Sequence, residues 1–255
     1  MIRQFHAHSL MVFVAACALL APLRASDTDY QEAMKALDAK DYPTALRYLE
    51  SALSGNPDDV RYASDYRQAA IRSKDFDRSV QFFEKLAAEH PSSANVHLNF
   101  GFAYVDKIPA AGSITQVILA NNALKEFTRA VELQPSWIAY YTRGMSYLFW
   151  PKIFNRAAFG VEDLKKALEL QKTGSRRPYY VKTYIGLGDG YWKTDDLEKA
   201  RATWQEGLKQ FPESPALKAR LTQQGDELKA TIEAGFDPGK RVDTDLKDLW
   251  TNSNI

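Results

Sequence analysis

Residues 184–212 read YIGLGDGYWKTDDLEKARATWQEGLKQFP, and this stretch decides the fold. Apolar residues recur at helical spacing on both sides of Asp196-Leu197, which predicts two amphipathic helices joined by a tight turn. Gly188 and Ala200 have almost no side chain, so the two helices can cross closely at these positions. Pro212 ends the second helix, because proline lacks an amide donor and clashes with the preceding turn.

The spacing within this stretch resembles the tetratricopeptide repeat, whose pattern is W-x2-L-G-x2-Y, then A-x3-F, then P over about 34 residues. Tyrosine takes the tryptophan position and tryptophan takes the phenylalanine position, so both remain aromatic. The residues that carry the match are Tyr184, Leu187, Gly188, Tyr191, Ala200, Trp204 and Pro212.

The pattern recurs along the chain, which identifies it as an internal repeat. Asp41-Tyr42 and Asp75-Phe76 mark turns that lie one repeat of about 34 residues apart. The resemblance implies an all-α, right-handed α-solenoid of about five helix pairs plus a C-terminal capping helix. The predicted segments are units at about 26–59, 60–93, 94–136, 137–177 and 178–213, a cap at 214–234 and a tail with a short helix at 235–255.

Three units depart from the regular pattern. In the second unit Arg67 occupies the glycine position, which predicts that its two helices pack less closely. The third unit carries an inserted loop at 107–112, after which Ser113 is expected to cap a long helix. The fourth unit is interrupted at Trp150-Pro151, because a residue before proline is pushed out of the helical region, and an aromatic turn is expected through residue 159.

The C-terminal part predicts a cap and a tail. Ser214-Pro215 is typical of a helix start, and a single apolar stripe indicates one capping helix that Gly235 ends. The stripe consists of Leu217, Leu221, Leu228 and Ile232. Beyond it, Thr244 is expected to cap a short helix carrying Leu246, Leu249 and Trp250. We expect this helix to fold back on the last helices, with a role as a docking peptide for a partner as the alternative.

The N-terminus predicts export. Arg3 precedes an uninterrupted apolar run at 10–20, and the small residues up to Ala25 are typical of a signal-peptide cleavage site. The run is too short for a comfortable membrane span. The predicted signal peptide is therefore 1–25, and the mature chain has no membrane span.

Cys17, the one cysteine of the sequence, falls within that run. Cleavage near Ala25 would leave a mature chain without a thiol, and so without a disulfide or a sulfur-ligated metal. The alternative is lipidation of Cys17, because residues 14–17 read VAAC and resemble a bacterial lipobox. A cysteine-free exported chain suits the bacterial periplasm, with an outer-membrane lipoprotein as the alternative.

Composition and motifs argue against several function classes. The 255 residues carry a net charge of +1, which attracts neither nucleic acid nor an anionic membrane. The region after the signal peptide holds His90 and His97 as its histidines, without a zinc-binding spacing. The glycines of 186–190 lie within a helix rather than after a strand, and the acidic pairs at 58–59 and 195–196 lie at turns. We expect no enzyme activity, cofactor or metal.

The resemblance implies that the first helix of each pair lines a concave groove, which in this family binds a peptide or a partner helix. The groove residues carried over by register are Arg61, Ser64, Gln68, Asn95, Asn99, Phe102, Tyr141, Met145, Phe149, Lys182, Asp189, Trp192 and Lys193. The lysine and asparagine set that grips chaperone C-termini is incomplete, since Tyr30 and Met34 occupy its first-unit positions. Packing between neighbouring helices is an equal alternative role for Phe102 and Met145.

These observations predict a non-enzymatic protein–protein interaction scaffold of the bacterial cell envelope. Its unidentified partner, a peptide or a helix of another protein, would bind in the concave groove. One alternative is a lipid-anchored lipoprotein of outer-membrane or pilus assembly. The other is a small-ligand binder or enzyme that uses the insertions at 107–112 and 150–159 as a pocket.

Overall fold

The computed structural model describes residues 21–251, and the apolar run with Cys17 lies outside this range. Ten helices form five consecutive packed pairs: α1 (Ala21–Asp38) with α2 (Tyr42–Gly55), α3 (Val60–Ser73) with α4 (Phe76–Glu89), α5 (Ala94–Lys107) with α6 (Ser113–Leu133), α7 (Trp137–Leu148) with α8 (Ala157–Gln171), and α9 (Val181–Lys193) with α10 (Leu197–Gln210). The chain continues through α11 (Pro215–Thr222), α12 (Gly225–Ala234) and α13 (Asp248–Thr251). Residues 21–251 contain no strand, which confirms the all-α solenoid.

The turn inside each regular pair depends on the same local chemistry. Lys40 and Lys74 both adopt a left-handed backbone, with φ of 59° and 62°, and an aspartate follows each of them. The carboxylate of Asp41 accepts a hydrogen bond from the Thr44 N–H, and Asp196 accepts one from the Lys199 N–H. Each bond satisfies an amide that the first helical turn leaves free. Asp41 and Asp196 therefore cap the second helix of the first and fifth pairs, whereas Asp75 precedes α4 without a side-chain capping bond.

Close helix crossing requires the glycines that the sequence places at this position of the repeat. A Cβ atom on Gly188 would lie 2.1 Å from Nε1 of Trp204, and one on Gly101 would lie 2.4 Å from the Phe127 ring. In the second pair the position belongs to Arg67, and α3 and α4 pack less closely than the helices of the other pairs. This confirms the prediction made from Arg67.

The two irregular units are expanded where the sequence predicts. A 3-10 turn at Ile108–Ala110 fills the insertion before α6, although the N-cap position of α6 is Gly112 rather than Ser113. In the fourth pair α7 ends at Leu148, and a second 3-10 turn covers Lys152–Phe154.

The cap differs from the prediction because it consists of two helices rather than one. The helix is interrupted after Thr222, and α12 begins at Gly225, whose φ is +51°. Arg201 stabilises the break by donating to the carbonyl oxygens of Leu221 and Gln223, over 3.2 and 3.3 Å. Leu217, Leu228 and Ile232 of the apolar stripe are still buried, and Leu221 is partly buried.

Thr244 does not cap the last helix. Helix α13 begins four residues later, at Asp248, and the hydroxyl of Thr244 instead donates to the carboxylate of Asp106 on α5. The tail therefore extends well beyond the last helices. Across residues 21–251, no helix is both long enough and apolar enough to cross a membrane.

Candidate functional site

Residues of α5, α6, α7 and α9, of both insertions and of the segment after α12 line a cavity of about 830 Å³ on the inner face of the solenoid. Its size falls within the range of small-ligand pockets, and its lining is mainly aromatic and aliphatic. Six of the predicted groove residues line it: Phe102, Tyr141, Met145, Phe149, Lys182 and Lys193. Five of the six come from the fourth and fifth units, where the sequence places the aromatic and methionine stretch.

The central feature of the lining is Trp137, which was not predicted as a site residue. Its indole stacks on the ring of Tyr141 with a centroid distance of 5.0 Å and an interplanar angle of 8°. The indole nitrogen donates to the Thr183 hydroxyl over 2.9 Å. Because Trp137 is the first residue of α7, its position depends on how α7 packs on α9. The aromatic character of the first turn of α7 was the available signal.

An exposed apolar rim lies beside the cavity, on the second insertion and on the first turns of α6, which follow the first insertion directly. Val117 on α6 and Phe154 in the 3-10 turn line the opening, and 48% and 55% of their surfaces are exposed. Of the eight large apolar residues that are exposed within 25–251, six lie in the second insertion or in the first turns of α6: Ile114, Val117, Ile118, Ile153, Phe154 and Phe159. Apolar side chains gathered in this way are typical of an interaction surface.

The C-terminal tail, defined as residues 235–251, contributes one wall of the cavity. The rings of Phe236 and Phe149 meet edge-on with a centroid distance of 5.2 Å. The Lys193 ammonium lies 4.3 Å from the centroid of the Phe236 ring. Burial lowers the pKa of Lys193. The tail then continues to the second unit, where the Leu246 N–H donates to the Ser64 hydroxyl over 3.1 Å.

A buried polar network joins the tail to the inner face. The guanidinium of Arg67 has no exposed surface and donates to Asn99, to Asp106 and to the carbonyl oxygen of Thr244, over 3.0, 3.1 and 2.9 Å. Burial raises the pKa of Asp106, an effect that the neighbouring Arg67 opposes. The guanidinium also lies 4.7 Å above the Phe102 ring. The network thus combines an ion pair, a cation–π contact and a backbone contact.

Ser64, Asn99 and Lys182 belong to the predicted groove set and contact the tail or its network. The ammonium of Lys182 pairs with Asp248 at 3.1 Å. Arg67 and Asp106 were not predicted as site residues. The available signal was an arginine at a glycine position of the repeat.

The remaining predicted groove residues lie away from the cavity. Asp189 is buried in a bidentate pair with Arg220 of α11, at 2.6 and 2.7 Å, so it joins the fifth unit to the cap. Asn95 donates to the carbonyl oxygen of Asp58 at the junction of two units. Arg61 lies above the Tyr30 ring, Trp192 packs against the apolar cluster that includes Trp204, and Gln68 is partly buried.

The features that resembled catalytic or phosphate-binding motifs have structural explanations. Asp59 accepts hydrogen bonds from the first amides of α3, and Asp195 pairs with Lys152. The glycines at 186 and 190 lie within α9, where added side chains would meet Met145 and Val161. His97 contacts Glu126 at 2.6 Å. Residues 21–251 bring together no group of three metal-binding side chains.

Comparisons with known proteins agree with this architecture. The tetratricopeptide-repeat family profile matches residues 36–99, which run from the end of α1 through α2, α3 and α4 into the start of α5. No curated protein matches the chain.

Solved structures of similar fold extend over most of the chain. A thermophilic tetratricopeptide-repeat protein of Thermus thermophilus aligns with a TM-score of 0.54 and 20% identity, covering 77% of this chain and 97% of its own. A tetratricopeptide-repeat protein of Parabacteroides merdae aligns at 0.56 and 13%, covering 91% and 81%. MamA of Desulfovibrio magneticus aligns at 0.52 and 19%, covering 75% and 97%. At such identities the similarity establishes the fold alone.

Proposed function

We propose that this chain, a tetratricopeptide-repeat protein, is a non-enzymatic scaffold that binds a peptide or a helix of another protein on its concave face. The observation that carries the proposal is the combination of an apolar inner cavity with an exposed apolar rim on the second insertion and the first turns of α6. Aromatic and methionine side chains of this kind are enriched in protein interfaces. The repeat supplies the rigid frame, and the insertions distinguish this member.

The cell envelope is the proposed location. It is supported by the apolar N-terminal run with its small-residue cleavage site, and by the absence of other cysteines from the sequence. A soluble periplasmic protein is the first form proposed, and a lipoprotein anchored at Cys17 is the second. Mass measurement of the exported chain distinguishes them, because a diacylated Cys17 and an N-terminus at Ser26 differ in mass.

Site-specific photo-crosslinking in the producing cell tests the scaffold function. A photoreactive residue at Val117, on the rim, should crosslink to a partner protein, and one at Lys85, an exposed position of α4 outside the cavity lining, should not. Equal crosslinking from the two positions would contradict binding at the concave face.

A small apolar ligand is the second candidate occupant, and the 830 Å³ cavity supports it. Native mass spectrometry of the purified chain would detect such a ligand as a retained mass. Ala120→Trp places a large side chain on the cavity lining and should abolish the retained mass, and Ala88→Trp, at an exposed position of α4 outside the lining, is the matched control. A mass that survives Ala120→Trp would place the ligand elsewhere.

A further inference from the structure

The C-terminal tail is held on the concave face in the manner of a bound peptide. Two of its contacts involve the peptide backbone: Arg67 donates to the carbonyl oxygen of Thr244, and Ser64 accepts from the N–H of Leu246. Contacts of this type hold an extended chain whatever its side chains are. The partners lie more than 170 positions apart in the sequence, so folding of the whole solenoid brings them together.

Three alternate side chains of the tail supply the specific contacts. The Thr244 hydroxyl donates to Asp106, the Leu246 side chain is 6% exposed within the apolar cluster that includes Phe102, and Asp248 pairs with Lys182. A hydroxyl, an apolar group and a carboxylate at alternate positions form a pattern that a second peptide could reproduce.

The polar network on the inner face is complete only while the tail is bound. Without the tail, one nitrogen of Arg67 would lose its acceptor, and the Asp106 oxygen that Thr244 contacts would lose its donor. A buried ion pair contributes little stability compared with apolar packing. An arginine that presents several donors in fixed geometry is well suited to recognising a peptide carbonyl group. The arrangement is therefore better explained by ligand recognition than by stability.

We propose that Ser64, Arg67, Asp106 and Lys182 form a peptide-binding site for which the tail is the resident intramolecular ligand. The partner that displaces the tail is a segment with a hydroxyl residue, an apolar residue and an acidic residue at alternate positions. It is extended at the first two residues and begins a helix at the acidic one, as the tail does at Asp248. This inference rests on the proposed scaffold function and names the partner chemistry for one part of the groove. Because the tail is covalently linked, its effective concentration is high, and it lowers the apparent affinity of every competing peptide.

A peptide titration tests the site in the full chain. The probe is a fluorescent synthetic peptide of residues 240–251, and the control peptide is the same sequence with Leu246→Asp. The unaltered chain should bind the probe weakly because its own tail occupies the site. A chain with Thr244→Val and Leu246→Asp in its tail should bind the probe at least about tenfold more tightly. Lys229→Ala, at an exposed position of α12, should leave the weak binding unchanged.

Further arms assign the binding to the inner face. The chain with Thr244→Val and Leu246→Asp is called the loosened chain. In it, Ser64→Ala should weaken probe binding severalfold, and the control peptide should not bind. Circular dichroism checks that the loosened chain keeps its helices. If the loosened chain loses its helices, a chain with Asp248→Lys alone, which changes a half-exposed residue, takes its place. It too should bind the probe more tightly than the unaltered chain.

Equal probe affinity in the unaltered and loosened chains would overturn the inference, as would equal binding of the control peptide. A loosened chain that dimerises by exchanging tails would assign the site to a second copy and overturn the assignment to a separate partner. Failure of the titration would leave the scaffold function standing wherever Val117 still crosslinks to a partner. Probe binding without any crosslink would establish the tail site and contradict the scaffold function.

Discussion

The hydroxyl of Ser64 accepts a hydrogen bond from the backbone N–H of Leu246, over 3.1 Å and across 182 positions of sequence. This contact joins the C-terminal tail to α3, and the buried side chain of Leu246 reinforces it. The concave face of the solenoid is therefore partly covered by the chain itself. Access to that part of the groove depends on how readily the tail leaves.

Leu246→Asp should release the tail, because a carboxylate within an apolar cluster has a high desolvation cost. Trypsin would then cleave after Arg241 and Lys247 several times faster than in the unaltered chain, since cleavage follows the population of the open form. The measurement is the rate at which the truncated mass appears. Val242→Asp makes the same chemical change at an exposed position of the tail and should have a smaller effect. Equal rates for the two variants would show that Leu246 does not anchor the tail.

Gly188→Ala should destabilise the fifth helix pair, because the added Cβ would lie 2.1 Å from the Trp204 indole. We expect a loss of about 1–3 kcal/mol in the free energy of unfolding, as in other overpacked cores. Chemical denaturation followed by circular dichroism measures it. Gly174→Ala is the matched control, because an added Cβ there meets nothing within 4 Å. A stability equal to that of the control would contradict the close crossing.

Asp196→Ala should lower the midpoint of thermal unfolding, because it removes the hydrogen bond that caps an amide in the first turn of α10. Asp75 precedes α4 at the equivalent position of the second unit, but its side chain makes no capping bond. Asp75→Ala should therefore have a smaller effect in the same thermal unfolding measurement. A larger loss for Asp75→Ala than for Asp196→Ala would show that capping does not decide the cost.

Arg220→Met should destabilise the junction between the fifth unit and the cap by about 3–5 kcal/mol at neutral pH, because Asp189 would remain buried without its partner. Burial already raises the pKa of Asp189, and Arg220 opposes this effect, so the substitution should raise that pKa further. The folded state then binds a proton that the unfolded state releases. The loss should consequently grow as the pH rises above the ordinary value of 3.8 and shrink as the pH falls towards it.

Denaturant unfolding at acidic and neutral pH measures this dependence as the difference from the unaltered chain, which removes contributions common to both. Lys218→Met is the control, since Lys218 lies on the same helix and pairs at 3.6 Å with the exposed Glu213. A loss for Arg220→Met that does not vary with pH would mean that Asp189 is not the group responsible.

Local sequence determined the repeat itself. The aspartate at each regular turn, the glycine at each close crossing and the aromatic residue that covers it act within about 34 residues, so their spacing alone predicts the helix pairs. The looser packing of the second pair was also predictable, because a long side chain at the Arg67 position prevents the close helix approach that glycine allows. The expansion of the third and fourth units was predictable as well, because proline and glycine interrupt a helix through their own local backbone geometry.

The tertiary structure decided which distant residues the polar side chains of the groove contact. Asp189 was expected in the groove by register, yet Arg220 of the cap buries it in an ion pair. Thr244 is a reasonable helix cap by sequence, but the buried contacts with Asp106 and Arg67 outweigh that local preference. Such contacts join residues far apart in the sequence, and their geometry depends on the accumulated curvature of five stacked pairs. No local pattern encodes that curvature, so the sequence determined the solenoid and the folded chain determined how its groove is occupied.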